Sequence, residues 1–445
     1  LHARMHVCDW RDAEALAADL VQRVARGEVA TQPFALLAMV DEPALHRQAS
    51  ETLVAWRWKK HGKAPLGPVQ DHAHAKIRIG YFSADLQEHA TAYLMAELFE
   101  RHDRSRFEIV AFSFGPSQDD AMRRRLAAAF DRFIDVRDRS DREIAQLARE
   151  LEIDIAVDLK GYTGDGRPEI FAYRAAPVQV AYIGYPGTTG LAEMDYLLAD
   201  RTLVPEASRP HYVERIVTLP HSYQVNDSRR AVSDRRFTRE ELGLPEQGFV
   251  YCCFNGNYKI LPATFAIWMR LLREVGGSVL WLLGDSAAAI ANLRREAAKH
   301  GVDGQRLVFA GRMPLAEHLA RHRAADLFLD TLPYNAHTTA SDALWTGLPV
   351  LTCIGRSFAS RVAASLLGAV GLPELVTIRE ADYEALALAL ARDPERLARL
   401  KAKLAANRAT APLFDATRFA ADLERAYLQM HTRRQSGLPP DHLDI

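Results

Sequence analysis

From Lys76 onward the sequence alternates short apolar runs with amphipathic stretches of helical period, and it does so in two series. KIRIGYFSAD, RFEIVAFSFG, DIAVDL, DYLLAD and ERIVTLP carry the first series; FVYCCFN, SVLWLLG, RLVFAG, LFLDT and PVLTCIG carry the second. Strands that are apolar on both sides must be covered on both faces, and helices between them are the covers. The pattern therefore predicts an α/β protein with two doubly wound parallel sheets. Between the series, residues 221–246 are polar and turn-rich, with one charged helix candidate, and they mark the boundary between domains at 76–230 and 231–412. In a pair of such domains the carboxyl ends of the strands can face a shared cleft, and ligand-binding residues are expected there.

The flanks are helical. WRDAEALAADLVQRVARG and PALHRQASETLVAWRWKKHG give residues 1–62 a helical period, and one such pair is compatible with the end of a repeat array. Residues 63–75 read as a linker, whose His72-x-His74 pair suits a metal but lacks a supporting carboxylate or cysteine cluster, so a solvated linker is expected. Residues 413–445 read as a C-terminal helix followed by a loose tail, SGLPPDHLDI. The start at Leu1 rather than Met implies a segment upstream.

Composition narrows the function. A net charge of −1 over 445 residues exerts no global pull toward nucleic acid or acidic membranes. The sequence has no apolar run near the roughly 20 residues that span a bilayer. Four cysteines form neither a disulfide framework nor a zinc pattern, which points to a reduced, cytoplasmic protein. GxGxxG after the first strand, GxxxxGK[ST], GxSxG, HExxH and a strict Asp-x-Asp pair are all missing.

Polar residues collect just after the strands. In LFLDTLPYNAHTTASDALWTG, a strand from Leu327 to Leu329 ends in a polar turn holding Asp330 and His337, then comes a helix opened by Thr338 and Thr339 and carrying Asp342. A helix start offers unpaired N–H groups and a positive dipole end, hence a seat for phosphate, although a plain N-cap explains the threonines as well. Asn255 and Lys259 follow the strand FVYCCFN, where a lysine is placed to neutralise a diphosphate. His318 and Arg321 share one helix face, to stack on and bond a base or to form a solvated basic surface. In the first series, His89 sits in a turn entering a helix, as a proton acceptor or a surface residue. Tyr162 lies in the glycine-rich stretch after DIAVDL, and Ile183, Gly184, Tyr185 and Pro186 offer a wall beside a small polar ligand.

RIGYFSADLQEHATAYL, DLKGYTGDGRPEIFAYRAAPVQVAYIGYPGTTG, YCCFNGNYKI and YNAHTTASDALWTG together resemble the protein O-linked N-acetylglucosamine transferases, specifically a bacterial member, from Cys8 to ERAYLQMH. The resemblance implies a GT-B fold with two Rossmann-like domains, a preceding tetratricopeptide array of which residues 1–62 are the end, and no metal or other cofactor. It implies transfer of GlcNAc from UDP-GlcNAc to Ser or Thr of protein or peptide acceptors. By motif, His89 matches a histidine proposed as base or acceptor contact, and Lys259 the lysine on the diphosphate. His337, Thr338 and Thr339 match the phosphate segment, Asp342 the ribose aspartate, and His318 and Arg321 the uridine contacts. Asn255 is assigned to the nucleotide sugar, and Tyr162 with Ile183-Gly184-Tyr185-Pro186 to the sugar and acceptor.

Departures from the animal enzymes are Arg132 in place of a second histidine, Gly256 in place of a glutamine, and a missing insertion between the domains. UDP-glucose or GDP-fucose as donor, and a non-catalytic nucleotide-sugar-binding scaffold, stand as alternatives. Natural acceptors and oligomeric state are not legible in the sequence.

Overall fold

The computed structural model describes residues 1–61, 66–116 and 118–445, and, of Lys59, Lys60 and His61, the backbone alone. Positions 63–65 of the expected linker lie outside the described residues. By internal packing the chain forms two units. One comprises Gln22–Leu36, Glu42–Arg229 and Pro412–Ile445; the other comprises Leu1–Val21, Leu37–Asp41 and Arg230–Ala411.

The first unit carries strands β1 (Ile77–Ser83), β2 (Phe107–Ser113), β3 (Arg132–Asp135), β4 (Ile155–Asp158), β5 (Val178–Ala181), β6 (Tyr196–Asp200) and β7 (Arg215–Leu219). The second carries β8 (Val250–Cys253), β9 (Val279–Leu283), β10 (Leu307–Ala310), β11 (Leu327–Leu329), β12 (Val350–Cys353) and β13 (Val376–Thr377). A short β14 (Leu443–Asp444) ends the chain. The first sheet runs β14-β7-β6-β5-β4-β1-β2-β3 and the second β10-β9-β8-β11-β12-β13. The pairings are parallel, such as Ile79 with Ile155 and Phe328 with Val350.

Both orders reverse at one point. In the first sheet β1 lies between β2 and β4, and in the second β8 lies between β9 and β11. At such a switch point the connections leave to opposite faces of the sheet, which opens a crevice at the carboxyl ends of the two central strands. The second sheet has the Rossmann order 3-2-1-4-5-6 when its strands are counted from β8. Local signals set the helices between. Ser140 and Glu143 form a reciprocal capping box on Asp141–Glu150, and Pro262 opens Pro262–Glu274, where its missing N–H costs nothing.

The C-terminal helix Ala416–Gln435 belongs to the first unit. A buried polar chain fastens it: Tyr81 Oη is 2.8 Å from His102 Nε2, and His102 Nδ1 is 2.9 Å from Glu424 Oε1. The tail is not loose. Leu443 and Asp444 pair with Val217 and Thr218 on β7, and Ile216 N–H donates to His442 Nδ1 at 2.9 Å. An otherwise unpaired strand edge supplies the hydrogen bonds that the polar tail could not supply for itself. The charged helix candidate in residues 221–246 is a run of turns instead. Arg239 uses its guanidinium to hold the carbonyls of Pro245 and Gly248, closing the segment on itself. Among the described residues no helix is long and apolar enough to cross a membrane, and all four cysteines are free and buried.

Candidate active site

In the second unit, the loops after β8 and β11 meet at the switch point. Asp330 follows β11 fully buried, and its carboxylate ties the loop to β12: Thr331 N–H and Ala336 N–H donate to Oδ1 at 2.8 and 2.6 Å, and Thr352 Oγ1 donates to Oδ2 at 2.7 Å. Burial pushes its carboxyl up to about 7. Lys259 reaches the same place from the turn after β8. Its ammonium donates to Asn335 O at 2.8 Å and sits 3.8 Å above the Tyr334 ring. Burial pulls this ammonium down to about 8, with the Asp330 charge opposing. A cation held by a carbonyl and an aromatic face keeps its charge available to an incoming anion.

The helix Thr338–Trp345 begins beside it. His337 occupies the N-cap position but forms no side-chain cap, so neither threonine is the cap that one reading of the sequence allowed. Thr339 instead donates its hydroxyl to Asn255 Oδ1, and Asn255 Nδ2 donates to Thr331 Oγ1 at 2.7 Å. Asn255 is thus a buried tie between the loops. The half-buried His337 ring has Nε2 3.2 Å from Ala359 O, and burial together with Lys259 holds it well below the usual imidazole range. An uncapped helix start, a half-buried neutral imidazole and a lysine make a seat for an anion of about phosphate size.

Asp342 stands a turn further in, 6 % exposed, with Oδ1 2.7 Å from Arg230 Nη1. Arg321 is also buried, its guanidinium 4.5 Å over the Phe254 ring and donating to Gly311 O at 2.6 Å. His318 lies against the same ring at 5.4 Å. The solvated basic face is therefore wrong for this helix: Phe254, the residue just after β8, draws both side chains inward.

Sequence reasoning missed the support behind His337. Asp41 accepts from Ser357 N–H at 2.9 Å and from Ser360 Oγ at 2.7 Å, and so fixes the loop that presents Ala359 O. Gly355 permits this approach, because a Cβ there would lie 2.3 Å from Asp41 Oδ2. Nothing in a sequence links residues 316 positions apart, the separation of Asp41 and Ser357.

In the first unit, the switch point between β1 and β4 holds Asp85, His89 and Lys160. Lys160 Nζ donates to both oxygens of Asp85, at 2.9 and 2.8 Å, and both side chains are nearly buried. His89 Nδ1 lies 3.3 Å from Asp85 Oδ2 and also 3.2 Å from the Thr91 N–H, which it caps. These contacts require opposite tautomers. With Nδ1 accepting from Thr91, Nε2 carries the proton; with Nδ1 donating to Asp85, Nε2 is a free base. Burial lowers the His89 pKa, Asp85 raises it and Lys160 lowers it, for a net fall.

The remaining predicted residues line neighbouring loops. Tyr162 Oη donates to Thr189 O at 2.6 Å, and its ring meets Tyr185 edge-on at 5.3 Å. Tyr185 and Pro186 are buried, while Ile183 and Gly184 are half-buried. Ile183 has φ +56°, a strained value for a β-branched residue. Gly184 is required, since a Cβ would strike Leu159 O at 2.0 Å. Glu214, unremarked in the sequence, holds this loop by accepting from Thr188 Oγ1 at 2.7 Å and Thr189 N–H at 2.6 Å.

Comparison with known proteins decides the family. Glycosyl transferase family 41 matches residues 61–236 and 233–423. The chain belongs to that family. An Arabidopsis thaliana protein named as a probable UDP-N-acetylglucosamine–peptide N-acetylglucosaminyltransferase SEC is 34% identical over 469 residues, covering 100% of this chain and 48% of that one. The Caenorhabditis elegans UDP-N-acetylglucosamine–peptide N-acetylglucosaminyltransferase is 28% identical, covering 83% of this chain and 42% of its own. The chain thus spans about half the length of the curated relatives it matches. Among solved structures, a mutant of the Thermobaculum terrenum O-GlcNAc transferase superposes with a TM-score of 0.81 at 34% identity, over 92% of this chain and 77% of that one. The Anabaena protein HepE, solved with UDP and glucose, shares the fold alone, with a TM-score of 0.53 at 13% identity, over 79% of this chain and 100% of that one. The fold class of this family 41 chain is GT-B, two Rossmann-like sheets with C-terminal helices.

Proposed function

We propose that this family 41 chain is an inverting, metal-independent glycosyltransferase that moves GlcNAc from UDP-GlcNAc to Ser or Thr hydroxyls of proteins. The observation that carries the reading is the buried Lys259 ammonium, which among the described residues hydrogen-bonds a carbonyl rather than a carboxylate, beside the uncapped helix start at Thr338. A nucleoside diphosphate carries two negative charges in the donor and gains a third as the bond to the anomeric carbon breaks. Lys259 and the helix N–H groups offset them where charge develops, the task a divalent ion performs in other transferases. His318 and Arg321 are assigned to the base, and Asp342 to the ribose once its pairing with Arg230 is shared. Attack by the acceptor oxygen on the face opposite the diphosphate inverts the anomeric carbon. His89 is assigned the acceptor proton, which requires Nδ1 to donate to Asp85 so that Nε2 is free. The activities for which the Arabidopsis and C. elegans relatives are named support the donor and the protein acceptor.

The test is transfer. Purified protein is incubated with UDP-GlcNAc and a protein lysate, with and without a chelator, and modified Ser or Thr are mapped by mass spectrometry. Modification that survives the chelator, with a product of inverted anomeric configuration, is expected. Tighter binding and faster turnover with UDP-glucose or GDP-fucose would overturn the donor. Nucleotide-sugar binding with neither transfer nor donor hydrolysis would make the chain a sensor.

A further inference from the structure

The amino ends of β1 and β4 carry a cluster unrelated to phosphate chemistry. These strands pair in register, Ile79 beside Ile155, so the residues just ahead of them are also brought together. His72 and His74 precede β1, and Glu152 precedes β4. The expectation of a solvated linker at His72-x-His74 fails here: each imidazole side chain is only 17% exposed, and the missing carboxylate arrives from a turn 78 residues further on.

The geometry is that of a ligand set with a gap at its centre. His72 Nδ1 lies 3.8 Å from Glu152 Oε1, His74 Nε2 lies 3.6 Å from Glu152 Oε2, and the three ligand atoms fall within 4.8 Å of one another. Those separations exceed hydrogen bonds. They approach the edge of a zinc tetrahedron, which is about 3.3–3.4 Å for bonds of about 2.0–2.1 Å. His74 Nε2 is buried and finds no hydrogen-bond partner among the described residues. The two rings stand parallel, 5.4 Å apart, because residues two apart on an irregular, extended stretch project to one side.

The surroundings suit a cation. Arg78 Nη1 donates to Glu152 Oε2 at 2.8 Å and orients the carboxylate, whose other lone pairs remain for a metal. The buried Asp154 carboxylate accepts from Arg78 N–H at 2.8 Å and adds negative charge behind the site. Glu152 adopts φ +52° as the left-handed residue that ends the helix Asp141–Glu150, where Ile153 N–H bonds back to Ala148 O.

We propose that His72, His74 and Glu152 form a binding site for a divalent transition ion of the zinc class, with water completing the tetrahedron. Two imidazoles and one carboxylate suit zinc, nickel, copper or cobalt rather than magnesium or calcium. The ion clips the stretch ahead of β1 to the turn ahead of β4, at the edge of the sheet opposite the loops that carry His89 and Lys160. Its role is to hold the fold, and it takes no part in transfer.

The probe is Zn²⁺ on the untagged full chain, stripped with chelator and dialysed. Competition against a chromogenic chelator should give one Zn²⁺ per chain, and the ion should raise the melting temperature of the parent. The double variant His72→Ala/His74→Ala should lose at least about 100-fold in zinc affinity while melting as the metal-free parent does. Glu152→Gln should lose less, because both imidazoles remain. Donor binding should be the same with and without Zn²⁺. Absence of stoichiometric zinc in the parent, or affinity within twofold in the double variant, overturns the site. A zinc requirement for donor binding overturns its structural role.

Discussion

The two units place the same pair of charges at their switch points with the positions exchanged. In the first, aspartate follows the central strand (Asp85 after β1) and lysine follows its neighbour (Lys160 after β4). In the second, lysine follows the central strand (Lys259 after β8) and aspartate follows the neighbour (Asp330 after β11). The outcomes differ. Lys160 donates to both Asp85 oxygens, so that pair is closed. Lys259 donates to Asn335 O, and Asp330 is occupied by Thr331, Ala336 and Thr352. A closed pair neutralises itself and positions His89. An open one leaves a positive charge in low dielectric, the state that binds anions most strongly. Two lysines at similar places in similar sheets thus have different partners because of what their aspartates hold.

The widest separation between them should appear in stability. Lys160→Ala strands the buried Asp85 charge and should cost about 3–5 kcal/mol, read from urea unfolding. Lys259→Ala should cost clearly less, since it removes a buried cation rather than stranding an anion. The double variant Asp85→Leu/Lys160→Met should recover most of the first loss; a double variant as unstable as the single one would remove the closed pair from the account.

Turnover should divide the lysines in the other direction. Lys259→Ala is expected to lower it about 10²–10³-fold, the usual worth of one donor at a developing anion. A loss within a few-fold would end its assignment to the leaving group.

The pH dependence of UDP affinity sharpens the same contrast. Lys259 is charged below and neutral above its depressed pKa of about 8, so UDP binding should weaken as pH rises through that value, by up to about tenfold per unit. Titration calorimetry in two buffers should register proton uptake there, because a bound diphosphate draws the pKa back up. Affinity flat to pH 10 would mean that Lys259 is already an ordinary lysine.

The smallest expected change concerns His89. Asp85 raises its pKa, so Asp85→Asn should move the acid limb of kcat to lower pH. An unmoved limb with altered acceptor KM would make His89 a binding residue.

Most of the second site was legible because its residues follow strands, where the loops of an open α/β sheet bind ligands. Lys259, His337, Thr338 and Thr339 sit in such loops, and the structure gathers them at one switch point. Asp342 was legible as a carboxylate but not as the partner of Arg230, which comes from a stretch without regular structure. Asp85, Asp41 and Glu214 were not picked out. Each acts by accepting hydrogen bonds from a distant loop, and a lone carboxylate in a sequence carries no mark of its donors.

The sequence by itself determined the layers: the period of its apolar residues dictates strand or helix, and apolar runs covered on both sides dictate parallel sheets. The strand-end loops that carry chemistry, and thus the lysine, histidine and threonines of the anion seat, follow from that pattern alone. Only the tertiary structure decided which charges are closed and which stay open. Lys160 meets Asp85 across 75 residues, and Lys259 meets Asn335 across 76. Local periodicity states which way a side chain faces, but not which loop the strand order will bring opposite it. That choice belongs to the reversal at each switch point, and with it goes the difference between a salt bridge and a seat for an anion.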